Sequence, residues 1–106
     1  MTAEERLKIE KNIVRVLKNI FDPEIPVNIY DLGLIYKIDL QDTGDLVVEM
    51  TLTSPNCPMA DIIFADVKEQ TSYVPGVMNV EVKLVFEPTW DKTMISEEAL
   101  LELGML

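Results

Sequence analysis

The predicted change from strand to helix falls in residues 51–60, which read TLTSPNCPMA. An alternating apolar run stops there, turn-forming residues follow, and the only cysteine, Cys57, comes directly before Pro58. Proline has a preset φ and no N–H, which suits the first position of a helix, so Cys57 is predicted at the N-cap. The positive end of the helix dipole is expected to favour the thiolate, although Asp61 and the acidic chain oppose this.

Two interpretations of Cys57 remain open from these residues. A lone cysteine is often a small buried hydrophobic side chain. An exposed loop that enters a helix, as Ser-Pro-Asn before Cys57 indicates, is instead a common location for function.

The segments around this stretch have clear periods. Residues 34–40 and 46–52 alternate apolar and polar, and the short polar loop between them contains Gly44, which predicts an antiparallel hairpin. Residues 60–71 carry apolar side chains at helical spacing, and residues 80–86 alternate again. A helix and a third half-buried strand, like the first two, are therefore predicted.

The two ends of the chain predict further helices. Thr2 and Glu5 form a capping box before an apolar stripe that runs to Phe21, and Ser96 is placed to cap a short helix through Leu103. The order α-β-β-α-β-α predicts an α+β, two-layer sandwich in one domain of 106 residues. Its three-stranded sheet is expected to be mixed, with the helices covering one face. If the third strand lies parallel to the second, the helix between them is expected to make a right-handed crossover.

Composition excludes several classes of function. Nine Lys and Arg against 19 Asp and Glu give a net charge of -10, which argues against binding to nucleic acid or to anionic membranes. A single cysteine cannot form an internal disulfide, and no signal peptide or membrane-spanning run is seen, so the protein is expected to be cytoplasmic.

The lack of histidine and of a glycine-rich phosphate loop makes an enzyme unexpected. One cysteine also cannot hold a structural zinc or an iron-sulfur cluster alone. Any cluster would need ligands from a second copy, a partner, a carboxylate or a small thiol.

Carboxylates and the only tryptophan are the other candidates for functional residues. Asp22 and Glu24 follow the first helix, where Asp22 could simply organise a turn. Asp31 is placed either to bond N–H groups of its own loop or to stand near Cys57. Trp90 could fill the core or serve an interface.

Several segments together resemble the SufT-like and PaaD-like family of iron-sulfur assembly domains. The resemblance covers nearly the whole chain and rests on motifs in family order: DPEIPV at 22–27, IYDLGLIY at 29–36, MTLT at 50–53 leading to Cys57 and Pro58, VPGV at 74–77, and FEP at 86–88 with Trp90. It implies a small cytoplasmic α+β domain that helps to mature iron-sulfur or other metalloproteins.

The resemblance also implies roles for particular residues. Cys57 would be the functional thiol of a Thr-x-x-x-Cys-Pro signature that begins at Thr53 and ends at Pro58. Asp22 and Glu24 match an Asp-Pro-Glu signature, and Asp31 matches Asp-Leu-Gly. The sequence shows neither the cysteine-bearing C-terminal extension of PaaD-like members nor the ATPase domain fused to some relatives, which favours a stand-alone SufT-like factor.

These observations lead to one main hypothesis and two alternatives. The main hypothesis is a non-enzymatic accessory factor in which Cys57 transiently contacts iron, an iron-sulfur cluster or a client thiol, without a tightly bound cofactor. Its expected partners are assembly proteins or client apo-proteins, and a symmetric homodimer could bridge a cluster with two copies of Cys57. The first alternative is an interaction adapter that docks through the Trp90 loop and the acidic surface and keeps a structural cysteine. The second is a thiol redox enzyme, which would lack a resolving cysteine.

Overall fold

The helices and strands follow the predicted order. The computed structural model describes residues 1–22, 25–53 and 60–104. Its elements are α1 (Ala3–Leu17), β1 (Ile35–Leu40), β2 (Asp45–Met50), α2 (Ala60–Ser72), β3 (Asn79–Leu84), a 3-10 helix (Lys92–Met94) and α3 (Glu97–Glu102). The α+β class is confirmed, with the 3-10 helix as an addition.

The three strands form one mixed sheet in the order β1-β2-β3. β1 and β2 are antiparallel, and β2 and β3 are parallel, with Met50 opposite Leu84. Gly44 has a φ of +92° in the β1–β2 turn, a conformation that favours glycine because it has no Cβ. The predicted hairpin and the mixed sheet are both confirmed, and the third strand is parallel to the second.

The core lies on one face of this sheet. Leu46, Val48 and Met50 of β2 are buried, while the residues between them on β2 are only half-buried. α1 adds Ile13 and Leu17 to the same apolar cluster, and further buried side chains come from α2. This alternation confirms that the helices cover one face, because successive side chains of a strand point to opposite sides.

Local capping agrees with the sequence at both ends of the chain. The Thr2 hydroxyl accepts a hydrogen bond from the Glu5 N–H at 3.1 Å, and the Ser96 hydroxyl accepts one from Ala99 N–H at 3.2 Å. Each cap satisfies an N–H group that has no partner within its helix.

The first helix ends earlier than its apolar stripe indicated. α1 stops at Leu17, and the side-chain amide of Asn19 donates to the carbonyl of Arg15 at 2.9 Å. Phe21 lies beyond the helix in an isolated β-bridge with Asn28. The apolar period therefore continues past the last helical turn.

Two strand predictions are wrong in detail. β1 contains a bulge between Ile35 and Lys37, which breaks the alternation and takes Tyr36 out of the predicted buried series. In β3, Leu84 is 39% exposed and Val82 is half-buried, so this edge strand lacks the deep burial of β2. β3 lies at the edge of the described sheet, with β2 on one side only, whereas β2 lies between two strands.

No helix in the part of the chain that the structure describes is long and apolar enough to cross a membrane.

Candidate functional site

A cavity of about 230 Å³ lies where the chain leaves β2. Its lining consists of Thr51, Leu52, Thr53, Phe86, Thr89 and Trp90. All six side chains are uncharged, although the chain carries a net charge of -10. The cavity therefore combines hydroxyl groups with aromatic rings and brings two predicted site residues, Thr53 and Trp90, to one place.

Trp90 is held in this wall by a specific hydrogen bond. Its indole Nε1–H donates to the carbonyl oxygen of Leu32 at 2.7 Å, and its partly buried ring packs against the main core. The ring thus fills space beside the core and also forms one side of the cavity. A buried indole N–H needs such an acceptor, which explains the fixed orientation.

Residues 31–33 hold the C-terminal segment that carries Trp90. The Asp31 carbonyl accepts a hydrogen bond from Ser96 N–H at 2.8 Å, next to the Leu32 contact. Gly33 has a φ of +80°, and a Cβ there would lie 2.4 Å from the carbonyl oxygen of Met94. The Asp-Leu-Gly motif therefore serves as a backbone platform for residues 90–96.

The Asp31 side chain is engaged within its own loop. Its Oδ2 accepts from the Asn28 side-chain amide at 2.8 Å, and its backbone N–H donates to Asn28 Oδ1 at 2.8 Å. The carboxylate thus bonds a side-chain amide of its loop, whereas one of the two alternatives from the sequence was a bond to backbone N–H groups. In the other alternative Asp31 stands near Cys57, which lies outside the residues that the structure describes.

Asp22 takes the structural role that its position after the helix suggested. It is 5% exposed, and its Oδ1 accepts a hydrogen bond from Ile25 N–H at 3.0 Å. Its own N–H donates to the Val27 carbonyl at 3.2 Å. These bonds organise the turn after α1, and neither Asp22 nor Asp31 lines the cavity.

Glu24, Cys57 and Pro58 lie outside the residues that the structure describes. The N-cap position of Cys57 therefore stays a prediction. Thr53, on the cavity wall, is the last described residue before that segment. Among residues 1–22, 25–53 and 60–104, no group of three or more His, Cys, Asp or Glu side chains is placed to hold a metal ion.

Sequence reasoning missed several residues around this site. Thr51 is 1% exposed, and its N–H donates to the Leu34 carbonyl at 2.8 Å. The Tyr36 hydroxyl donates to the Pro88 carbonyl at 2.6 Å. Burial raises the pKa of Tyr36, and a side-chain hydrogen bond with Thr51 opposes this. The one signal in the sequence was the pair of threonines at 51 and 53, polar residues at the end of an apolar strand.

Comparison with known proteins gives consistent matches. The chain is 56% identical over 102 residues to an Fe-S protein maturation auxiliary factor of Porphyromonas gingivalis, covering 96% of this chain and 97% of that protein. It is 40% identical over 102 residues to the Fe-S protein maturation auxiliary factor YitW of Bacillus subtilis, covering 96% and 98% of the two chains.

A solved structure shares the same fold. The crystal structure of a domain of unknown function from Bacillus anthracis superposes with a TM-score of 0.90 at 37% identity and covers 99% of this chain and 100% of that one. The sequence profile described as iron-sulfur cluster assembly protein matches residues 10–84. The chain therefore belongs to the iron-sulfur cluster assembly protein family.

Proposed function

We propose that this chain is a cytoplasmic accessory factor that helps to assemble or deliver iron-sulfur clusters to client apo-proteins, with Cys57 as its working thiol. The observation that carries the proposal is the uncharged cavity at Thr53, the first residue of the Thr-x-x-x-Cys-Pro signature. The names of the relatives from Porphyromonas gingivalis and Bacillus subtilis support the same role.

The chemistry of the cavity suits a transient cargo. Iron-sulfur clusters are held by thiolates and are commonly anionic, so carboxylates beside them would be repulsive. The lining has threonine hydroxyls and the rings of Phe86 and Trp90 instead. One thiol gives a single protein ligand, which favours transfer over permanent binding. We propose that the cluster or iron is cargo and that the chain acts without catalytic turnover.

The remaining ligands would come from another molecule. A client thiol can replace a ligand by exchange, with no net oxidation or reduction. A homodimer that bridges a cluster with two Cys57 side chains is a second way to complete the ligand set. Light scattering with and without iron distinguishes these routes, because only the second requires iron-dependent pairing.

Replacement of the thiol tests the proposal directly. We expect Cys57→Ser to abolish support for the maturation of a cluster-dependent enzyme in cells that lack the native gene. Thr53→Val, which replaces one hydroxyl of the cavity wall with a methyl group, should cause a partial loss. Protein abundance and the thermal midpoint serve as controls. Unchanged maturation by a normally abundant Cys57→Ser variant would remove the thiol from the mechanism.

Reconstitution in vitro provides a second test. Anaerobic incubation with iron and sulfide should give cluster absorption bands in the wild type and not in Cys57→Ser. Equal bands in both proteins would contradict a role for Cys57 as a ligand.

An interaction adapter is the second candidate, and the exposed aromatic residue beside the cavity favours it. Phe86 is 48% exposed next to the partly buried Trp90. In this case clients dock on the rings, and Cys57 is structural. Alkylation of the native protein separates the two functions, because the adapter role expects an unmodified thiol.

A further inference from the structure

β3 has a regular edge with which no other described strand pairs. The sheet order is β1-β2-β3, so within the described residues β3 pairs with β2 on one side only. The other edge strand, β1, is interrupted by a bulge, and the Arg6 side chain of α1 donates to the Leu40 carbonyl at 2.5 Å. β3 pairs with β2 without a shift in register. Proteins usually protect exposed sheet edges against pairing with another chain, and the bulge in β1 is one such protection. The regular β3 edge therefore calls for an explanation.

The direction of the β3 amides follows from one hydrogen bond. The Val85 N–H donates to the Met50 carbonyl of β2 at 2.9 Å. In a parallel pair, alternate residues direct both N–H and C=O groups to the same neighbouring strand. Odd-numbered residues of β3 therefore bond to β2, and Val80, Val82 and Leu84 direct their N–H and C=O groups to the free edge.

A second copy of β3 complements this edge in antiparallel orientation. With a two-fold axis at Val82, Val80 of each copy lies opposite Leu84 of the other, so all outward-facing amides pair. Glu81 then lies opposite Lys83 of the second copy, and by symmetry this ion pair forms twice. Opposed residues of opposite charge stabilise paired strands, particularly at positions between the hydrogen-bonded pairs.

Two-fold axes at neighbouring residues would bring like charges together. An axis at Glu81 would oppose two Glu81 carboxylates, and an axis at Lys83 would oppose two ammonium groups. An axis at Leu84 would set Glu81 against Glu87. Like charges directly opposite each other destabilise the pairing, and an axis at Val80 would set Glu81 against Asn79 without an ion pair. The charge pattern therefore favours Val82.

The helix-facing side of β3 agrees with the same register. Met78 is 72% exposed and Phe86 is 48% exposed, one beyond each end of the strand. Val80 and Met78 line a groove of about 540 Å³ between α2 and β3. With the axis at Val82, Phe86 of the second copy lies opposite Met78, at this groove. Exposed apolar side chains of each copy would be covered by the other.

We propose that two copies of this chain pair through the β3 edges about a two-fold axis at Val82, which joins their three-stranded sheets into one sheet of six strands. This dimer is independent of Cys57 and of the function proposed above. At about 3.3 Å per residue, the two Phe86 positions lie about 26 Å apart, so the two cavities occupy opposite ends of the paired strands.

Charge reversal tests the register. Sedimentation velocity of the iron-free full chain should show a concentration-dependent dimer. Glu81→Lys and Lys83→Glu should each raise the dissociation constant at least tenfold, because each places two like pairs across the axis. A mixture of the two variants should form a heterodimer, since the two ammonium groups on β3 of the Glu81→Lys copy then face the two carboxylates on β3 of the Lys83→Glu copy.

Controls separate this effect from net charge and from folding. Lys11→Glu, at an exposed position of α1, makes the same charge change as Lys83→Glu and should leave the dimer intact. Lys83 also lies opposite Glu49 of β2, whereas Glu81 lies opposite Val47, so thermal midpoints are compared for both variants. Cys57→Ser should dimerise normally, which separates this proposal from the thiol function.

Amide exchange gives an independent readout. The N–H groups of Val80, Val82 and Leu84 should gain protection as protein concentration rises, while those of Glu81 and Lys83 should be protected throughout. A wild type that stays monomeric at the highest concentration would overturn the proposal. So would a dimer that the charge reversals leave unchanged, or one that requires iron or Cys57.

Discussion

The indole Nε1–H of Trp90 donates a 2.7 Å hydrogen bond to the carbonyl oxygen of Leu32, which lies 58 residues earlier in the chain. Ser96 N–H bonds to the carbonyl of the adjacent Asp31, and Gly33 approaches the backbone of Met94. The backbone of the Asp-Leu-Gly motif thus sets the position of Trp90 in the cavity wall. The motif acts on the C-terminal segment through its carbonyl groups and its glycine, while the Asp31 carboxylate bonds Asn28 in its own loop.

Removal of the indole N–H should destabilise the protein. Trp90→Phe leaves the Leu32 carbonyl, in a residue with 0% exposure, without this donor. Loss of a partner by a buried polar group costs about 1–3 kcal/mol, so the free energy of unfolding should fall by that amount. Urea unfolding followed by circular dichroism measures it. Tyr73→Phe, at a side chain that is 70% exposed, should change stability by less than about 0.5 kcal/mol. Equal effects of the two variants would contradict the bond.

Gly33→Ala should separate the platform from the C-terminal segment. Gly33 combines a φ of +80° with a backbone oxygen 2.4 Å from the position of a Cβ. Gly104 has a φ of +72°, and apart from its chain neighbours no atom of the described residues lies within 4 Å of the position of a Cβ there. Gly104→Ala is therefore a matched control for conformational cost alone. We expect about 1 kcal/mol of destabilisation for the control and at least twice that for Gly33→Ala. Fluorescence of Trp90 should shift to the red only in Gly33→Ala, and an unchanged spectrum would mean that the platform tolerates the Cβ.

Sequence patterns alone predicted the structure correctly where a contact joins residues that are close in the chain. Thr2 and Ser96 cap their helices as predicted, because a cap depends on residues within one turn. The alternation of residues 46–52 correctly identified the buried face of β2. The order of elements then restricted the architecture to a sheet covered by helices on one face.

Contacts between distant segments could not be predicted in this way. The bulge at Tyr36 accompanies a hydrogen bond to Pro88, and the burial of Thr51 occurs beside the loop that follows β3. The motif at 31–33 was recognised, but its attachment to residues 90–96 depends on where the C-terminal segment crosses the fold. The geometry of Cys57, the centre of the sequence hypothesis, stays a prediction.

Substitutions of Asp22 test whether the first residue of the Asp-Pro-Glu signature stabilises the fold or takes part in the function. Its carboxylate accepts a hydrogen bond from Ile25 N–H at 3.0 Å while 5% exposed. Asp22→Asn retains an acceptor oxygen and should keep both stability, within about 1 kcal/mol, and maturation of the client. Asp22→Ala should lose about 1–3 kcal/mol because the N–H is left without this acceptor. A stable Asp22→Asn variant that fails to support maturation would instead indicate that the negative charge takes part in function.

The Tyr36 hydroxyl should lose its proton at a higher pH than an ordinary tyrosine, and the fold should therefore become less stable in alkali. Burial raises its pKa above the usual 10.0, with the hydrogen bond to Thr51 acting in the opposite direction. The neutral phenol is therefore favoured in the folded state, so its contribution to stability is complete below about pH 10 and is lost as pH rises through the raised pKa. The difference in phenolate absorbance between the wild type and Tyr36→Phe isolates this residue from Tyr73, whose pKa is also raised, by a hydrogen bond with Glu69. We expect its half-titration above about pH 10 and a smaller alkaline loss of stability in Tyr36→Phe. Half-titration at or below the usual value would mean that the hydroxyl is solvated and that the Pro88 contact does not persist in solution.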